Sequence, residues 1–136
     1  MTFRNVMDLL EFNFEWNGTK IFVYTRDGSY EGFENDADGW SQENSQNGKG
    51  FYKVKQAKGL GKFTEVPKFL PIDIPANTIK GFYVSIPAAF GMVLGKNMTT
   101  ASDKFLDIVP GVGKGYPFDW TNTNVSWSGA LHYLIP

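Results

Sequence analysis

The sequence contains no cysteine and only one histidine, His132, among its 136 residues. Without cysteine there is no disulfide framework, no thiolate metal site and no cysteine nucleophile. A single imidazole is also too little for a zinc centre, because zinc takes about three or four nitrogen or sulfur ligands from the protein. We therefore predict no transition-metal cofactor, whereas the lack of cysteine fits both reducing and oxidising compartments.

An excess of charge of one sign is also missing, as are long apolar runs. Thirteen Lys and Arg residues nearly balance fourteen Asp and Glu residues, so the formal net charge is -1. We expect no overall field that would draw the chain to nucleic acid. No apolar stretch reaches the roughly 20 residues of a membrane-spanning helix, and the N-terminus lacks the pattern of a signal peptide. The sequence therefore predicts a soluble chain with no nucleic-acid partner and no membrane span.

Two features that could support catalysis do not match the patterns that they would need. His132 is not accompanied by a Gly-x-Ser-x-Gly nucleophile elbow, so a Ser-His-Asp triad is not indicated. Residues 111–115, Gly-Val-Gly-Lys-Gly, resemble a phosphate-binding loop, but Ile108 stands at the position of the first glycine and Gly115 replaces the Ser or Thr. We interpret this run as a glycine-rich turn between strands and predict that the protein is not an enzyme.

What the sequence does contain is a strand-forming composition. Aromatic residues make up 16% of the chain, and 15 Gly and 7 Pro supply turns. Residues 10–16 alternate apolar and polar side chains, which is typical of a half-buried strand. The dipeptide at 17–18, Asn-Gly, favours a tight hairpin turn, and residues 20–25 are predicted to form the returning strand.

Further strands are predicted along the rest of the chain. Alternation marks 51–58, 79–86, 92–94, 105–109 and 125–135, while the proline-rich stretch 66–75 reads as an edge or a connector. Residues 29–49 are predicted to form a long loop with one short strand. We expect residues 1–136 to fold as one all-β domain, a two-sheet antiparallel sandwich of jelly-roll type with about seven to nine strands.

The long loop carries closely spaced carboxylates at Glu34, Asp36 and Asp38, just before Gly39. Alternate oxygen ligands of this kind open many calcium loops, but Ser45 stands where an EF-hand would have its final Glu. Calcium is therefore the one cofactor that this segment could hold, through a looser site. The same carboxylates could also serve as a glycosidase pair, or they could simply form a solvated acidic loop.

Several aromatic residues fall in segments predicted to be loops: Tyr30, Phe33, Trp40, Tyr116 and Trp120. A flat ring beside Asp and Asn side chains can bind a sugar, because the ring packs on pyranose C–H groups while the oxygens bind hydroxyls. Loop aromatics can instead fold down as plugs over the end of a sandwich. Both interpretations stay open, and these five residues are the candidate ligand-binding residues.

Four ordered segments together resemble a module that recurs in large secreted and surface proteins of diatoms and other marine microbes. They are Val-Tyr-Thr-Arg-Asp-Gly-Ser-Tyr-Glu-Gly-Phe-Glu at 23–34, Lys-Gly-Phe-Tyr-Val at 80–84, Gly-Val-Gly-Lys-Gly-Tyr-Pro-Phe at 111–118 and Trp-Ser-Gly at 127–129. The resemblance covers nearly the whole chain. It implies an extracellular or cell-surface, non-enzymatic β-rich module used in adhesion or matrix assembly, and it brings no catalytic residues.

These observations leave three functional hypotheses. The first is a binding or adhesion module whose loop aromatics and acidic loop recognise a glycan or an extracellular matrix polymer. The second is a structural subunit that associates with copies of itself, either through strand edges or through the acidic segment 27–43 and the lysine-rich segment 49–68. The third is a small glycoside-active enzyme that uses Glu34, Asp36 or Asp38.

Overall fold

The computed structural model describes residues 2–4, 20–43, 50–53, 63–66, 71–85, 94–95, 100–114, 118–119 and 121–135. Their regular structure is β, apart from one 3-10 turn at Ala37–Gly39. The strands are β1 (Thr2–Arg4), β2 (Lys20–Asp27), β3 (Ser41–Gln42), β4 (Tyr52–Lys53), β5 (Phe63–Glu65), β6 (Lys80–Ser85), β7 (Leu94–Gly95), β8 (Ala101–Ser102), β9 (Asp107–Ile108), β10 (Gly111–Lys114), β11 (Thr121–Trp127) and β12 (Gly129–Ala130). The all-β prediction is confirmed.

Strand β2 is the centre of the best-packed sheet. Ile21 and Val23 are fully buried, and Thr25 is 2% exposed, whereas the alternate residues between them are half-buried. This is the two-residue period of a strand with one face in the core. The predicted strand at 20–25 is thus confirmed and continues to Asp27, while the predicted strand at 10–16 and its Asn-Gly turn lie outside the described residues.

Strand β2 has neighbours on both sides. Its residues Tyr24 and Thr25 pair with Gln42 and Ser41 of β3 and also with Tyr83 and Phe82 of β6. Near its start, β2 also pairs with β4. Because opposite residues in an antiparallel ladder point to the same face, this register places Val23 beside Val84 on the core face and Tyr24 beside Tyr83 on the other face.

The other described strands form three smaller antiparallel sheets. Their orders are β12-β1-β5, β10-β11-β7 and the two-stranded β8-β9. Strand β1 lies between strands from the middle and the end of the described chain, so segments distant in sequence share one sheet. These long-range antiparallel pairings agree with the fold class that the turn-rich, aromatic sequence predicts.

Several predictions differ from the structure. Twelve strands are described, more than the seven to nine expected, and the predicted strand at 105–109 is a strand only at Asp107–Ile108. Residues 111–114 are predicted to lie in a turn but form strand β10, because β11 supplies ladder partners that no local pattern reveals. The expected closing strand at 125–135 begins earlier, at Thr121, and its ladder stops at Ala130. The described residues that follow, 131–135, have no strand pairing, and the hydroxyl of Tyr133 donates to Asp103.

Candidate functional site

Four aromatic rings meet on the face of the sheet that is opposite to the Val23 core. Tyr24 and Tyr83 stack with centroids 5.5 Å apart, and Phe118 lies 5.3 Å from Tyr24 and 4.6 Å from Tyr83. Trp40 completes the group at 6.1 Å from Tyr83 and 6.5 Å from Phe118. We call these four residues the aromatic cluster. All four residues are half-buried, so the cluster is not fully enclosed.

Arg26 holds the loop after β2 against this face of the sheet. Its guanidinium lies 3.4 Å from the centroid of the Phe33 ring, a cation–π arrangement. Its Nε donates to the carbonyl of Gly39 at 3.3 Å, and another guanidinium nitrogen donates to the carbonyl of Ser29. One side chain from the strand therefore holds the beginning, middle and end of the loop.

Trp40 is oriented by the same loop. Its indole Nε1 donates to the carbonyl of Phe33 at 2.9 Å. Gly81 lies next to the indole, and an added Cβ there would be 2.9 Å from Cγ of Arg26 and 3.1 Å from the carbonyl oxygen of Gly28, so the glycine leaves room for these two neighbours. The indole is thus held in a fixed orientation with its polar atom satisfied and part of its face exposed.

Phe118 has an unusual backbone conformation. Its φ is 53°, in the left-handed region that bulky residues rarely adopt. Its backbone N–H lies 3.4 Å from the hydroxyl oxygen of Tyr83. Such strain costs about 1–3 kcal/mol and is found where surrounding contacts enforce it, often at binding sites. Phe118 is not among the residues predicted from the sequence, and its position between Pro117 and Asp119 in a turn-rich segment is the only signal that could have indicated it.

Lys114 joins the loop to the segment that carries Phe118. Its ammonium group lies 2.5 Å from Oδ1 of Asn35 and 2.7 Å from Oγ1 of Thr121, and it also contacts the carbonyl of Asp119. The ammonium therefore crosslinks the two chain segments that border the aromatic cluster. In the sequence, Lys114 stands out only as part of an imperfect phosphate-loop pattern.

The sequence-predicted aromatic residues are distributed unevenly around this site. Phe33 and Trp40 fold down onto the sheet, as the plug interpretation expects, but both remain half-buried rather than fully covered. Tyr30 is half-buried too, and its pKa is raised by burial and then by the nearby Glu31 and Glu34 charges. Tyr116 and Trp120 lie outside the described residues, on either side of Phe118 in sequence.

The carboxylates of the acidic loop do not converge. Asp36 caps the 3-10 turn, with its Oδ1 accepting the backbone N–H of Asp38 at 3.1 Å. Asp36 and Asp38 are exposed and Glu34 is half-buried. Within the part of the chain that the structure describes, no three His, Cys, Asp or Glu side chains are grouped so that they could hold a metal ion. The calcium hypothesis therefore gains no support from this geometry.

The comparisons with known proteins give no match to a family model, a curated protein or a solved structure. In the described residues, no helix is long and apolar enough to cross a membrane. The function is therefore inferred from the chemistry of the cluster itself. Half-buried aromatic residues grouped on one face of a sheet suit a ligand with a flat apolar surface.

Proposed function

We propose that the protein is a non-enzymatic binding module that recognises a glycan or an extracellular matrix polymer through the aromatic cluster. The observation that carries this proposal is the meeting of Trp40, Phe118 and the stacked pair Tyr24 and Tyr83 on one half-buried face. Aromatic rings of this kind offer flat apolar surface at a low entropic cost of ordering, because few side-chain torsions have to be fixed on binding.

Polar groups on the loop that leads to Trp40 support the same class of ligand. Asn35, Asp36 and Asp38 are exposed on the loop that Arg26 and Lys114 hold in place. Their amide and carboxylate oxygens can accept hydrogen bonds from sugar hydroxyls, which a purely apolar surface could not satisfy. These polar side chains favour a glycan over a purely hydrophobic ligand such as a lipid chain.

The wider setting is part of the same proposal. We propose that the sheets pack as a two-layer, jelly-roll-like sandwich, in which β2 and β6 turn one face to the core and the other to the ligand. The resemblance to modules of secreted and surface proteins supports an extracellular role in adhesion or matrix assembly. In that role the module needs a stable platform rather than reacting groups.

The decisive experiment compares binding by the wild type and by Trp40→Ala on an array of glycans and algal polysaccharides. We expect Trp40→Ala to lose about tenfold or more in affinity, since truncating a tryptophan that anchors an interface costs about 2 kcal/mol or more. Ile79→Ala is the control, because Ile79 is an exposed apolar residue outside the cluster. Its binding should equal that of the wild type.

A second variant separates binding from folding. Trp40→Phe retains an aromatic ring while losing the indole N–H, so it should keep the fold and an intermediate affinity. Thermal unfolding of each variant shows whether it is folded under the binding conditions. If folded Trp40→Ala binds every retained glycan as the wild type and Ile79→Ala do, the aromatic cluster is not the ligand site.

A further inference from the structure

Exposed apolar side chains are concentrated in one region away from the aromatic cluster. Of the seven large hydrophobic residues exposed in the described chain, five belong to the β8–β9 hairpin region or to the segment after β12. These five are Phe105, Val109, Tyr133, Leu134 and Ile135. Leu134 is the extreme case, with 96% of its surface exposed. Grouped apolar exposure of this kind is typical of interaction surfaces.

The carboxylate of Asp103 connects the β8–β9 hairpin to the segment after β12. Oδ1 of Asp103 accepts the backbone N–H groups of Phe105 and Leu106 at 2.8 and 2.9 Å. Its Oδ2 accepts the hydroxyl of Tyr133 at 2.5 Å. The hairpin and the C-terminal segment 131–135 therefore form one surface, which we call the C-terminal face.

This face contains a cavity of about 190 Å³ that lies between the two segments and is open to solvent. Its apolar lining includes Leu106, Ile108 and Leu131, and Tyr133 closes one side. For comparison, an engineered cavity of about 150 Å³ in another protein holds a benzene molecule. The cavity is thus large enough for a single branched aliphatic side chain.

The hairpin itself has little support within the described chain. Strands β8 and β9 share only two paired positions, Ala101 with Ile108 and Ser102 with Asp107. Neither strand pairs with another described strand, and most of the hairpin is exposed. An isolated two-stranded ribbon is marginally stable in water, and packing against a further surface stabilises it. The C-terminal face therefore has a structural reason to be covered.

We propose that the C-terminal face is the interface of a symmetric dimer, in which Leu134 of each copy occupies the cavity of the other copy. A projecting apolar side chain and a cavity of matching size lie on the same face. A two-fold axis through that face would bring each projection to the partner's cavity, which is the self-complementarity that such interfaces require.

Charge favours a second copy as the occupant. The hairpin carries Lys104 together with Asp107, so a two-fold arrangement can place the ammonium of each copy near the carboxylate of the other. An anionic lipid surface would instead meet the carboxylates of Asp103 and Asp107. The association differs from one through strand edges or through the acidic and lysine-rich segments, because its main contribution is apolar.

The test measures molar mass in solution over a concentration series for the full chain and for Leu134→Asp. We expect the wild type to form a dimer and Leu134→Asp to weaken association by at least about tenfold, because a charge replaces a buried aliphatic group. Leu134 makes almost no contact in the single copy, so the substitution should leave its fold intact. Ile79→Asp is the matched control, because Ile79 is 66% exposed but lies outside the C-terminal face. This variant should still dimerise.

A crosslinking experiment tests the arrangement within the dimer. The chain has no cysteine, so Leu134→Cys combined with Ile108→Cys introduces the only thiols. Oxidation should give a covalent dimer of the double variant and much less from either single variant. A wild type that stays monomeric at millimolar concentration overturns the proposal, and so does a dimer that Leu134→Asp leaves unchanged. Binding of the monomer to anionic vesicles through Leu134 would also overturn it, in favour of a lipid partner.

Discussion

The ammonium of Lys114 lies 2.5 Å from Oδ1 of Asn35, although 79 positions separate the two residues in sequence. The same ammonium contacts the hydroxyl of Thr121 at 2.7 Å. One side chain thus connects the acidic loop to the segment that carries Phe118. The shape of the aromatic cluster depends on this connection, because Trp40 and Phe118 come from the two segments that Lys114 joins.

Lys114→Met should loosen the site more than it unfolds the protein. Methionine keeps most of the side-chain length but cannot donate hydrogen bonds to Asn35 or Thr121. We expect a loss of about 1 kcal/mol in the free energy of unfolding, the usual scale for such bonds near the surface, and a larger relative loss of glycan affinity. Chemical denaturation and binding titrations measure both quantities.

Lys53→Met is the control for this prediction. Lys53 is exposed in β4 and lies outside the aromatic cluster, so the substitution removes the same charge without the same contacts. Both stability and affinity should stay close to those of the wild type. Equal effects of the two substitutions would mean that net charge, rather than the contacts of Lys114, is responsible.

Phe118 offers a test of backbone strain that is independent of any ligand. Phe118→Ala removes the ring but leaves a Cβ in the left-handed conformation, whereas Phe118→Gly removes both the ring and the strain. We expect the glycine variant to be the more stable of the two by about 1 kcal/mol. Denaturant unfolding of both variants gives the difference directly, and both should be less stable than the wild type.

The same pair of substitutions at Phe105 should give the opposite order. Phe105 is 58% exposed, and its φ is not positive. There glycine mainly adds conformational freedom to the unfolded chain, so alanine should be the more stable variant by a few tenths of a kcal/mol or more. If alanine is also preferred at position 118, the left-handed conformation of Phe118 is not a property of the folded protein.

The ordered core of the fold could be predicted because its pattern is local. Strand β2 alternates buried and half-buried residues in step with the sequence, whereas in β6 only Gly81 and Ser85 are buried. The pairing of Tyr24 with Tyr83 could not be predicted, since it depends on register between strands that lie far apart. The sequence therefore indicated the elements but not which aromatic rings meet.

The geometry of the candidate site could be predicted from the sequence even less than the strand pairing. Trp40 and Phe33 lie in the loop that the sequence predicts, but the geometry that orients them comes from Arg26, which no motif marks. Phe118 joins the cluster through a left-handed φ that its residue type disfavours. Lys114 acts through contacts with Asn35 that only the folded chain creates. Local sequence patterns contain no information on such long-range contacts.

Gly81→Ala should disturb the packing under the aromatic cluster. The added Cβ would lie 2.9 Å from Cγ of Arg26 and 3.1 Å from the carbonyl oxygen of Gly28, and the second contact involves backbone that cannot easily move. We expect a loss of about 1–3 kcal/mol in the free energy of unfolding. Thermal and chemical unfolding measure the loss.

Gly111→Ala provides a matched glycine that should tolerate the change. Gly111 also lies in a strand, but an added Cβ there would have no heavy atom of the described chain within 4 Å, and its φ is not positive. Alanine there should be neutral or slightly stabilising, because it restricts the unfolded chain. Similar losses at both positions would show that close packing is not the reason for glycine at position 81.

The contact between Asp103 and Tyr133 predicts a defined pH dependence. The hydroxyl of Tyr133 lowers the pKa of Asp103 below its ordinary value of 3.8, and the backbone N–H groups of Phe105 and Leu106 lower it further. A carboxyl group whose pKa is lowered on folding stabilises the folded state at pH values above the pKa that it has in the unfolded chain. That contribution is lost as pH falls through the folded pKa of Asp103.

Tyr133 makes the stability of the fold depend on pH in the alkaline range. Hydrogen bonding to Asp103 raises the pKa of Tyr133 above its ordinary value of 10.0. The stability that this hydrogen bond contributes is therefore present below about pH 10 and is lost as the pH rises through the folded pKa of Tyr133. The attachment of the C-terminal segment to the hairpin should accordingly be firmest between the two pKa values.

Tyr133→Phe separates the hydroxyl from the other groups around Asp103. The pKa of Asp103 should rise towards 3.8 but stay below it, because the two backbone N–H bonds remain. Carbon-detected NMR titration of the carboxyl groups measures this pKa. Asp27 is the internal control, since its pKa is lowered by Lys80 and should not change. An unchanged Asp103 titration would mean that Tyr133 does not hold the C-terminal segment to the hairpin in solution, and the cavity on the C-terminal face would then lose one of its walls.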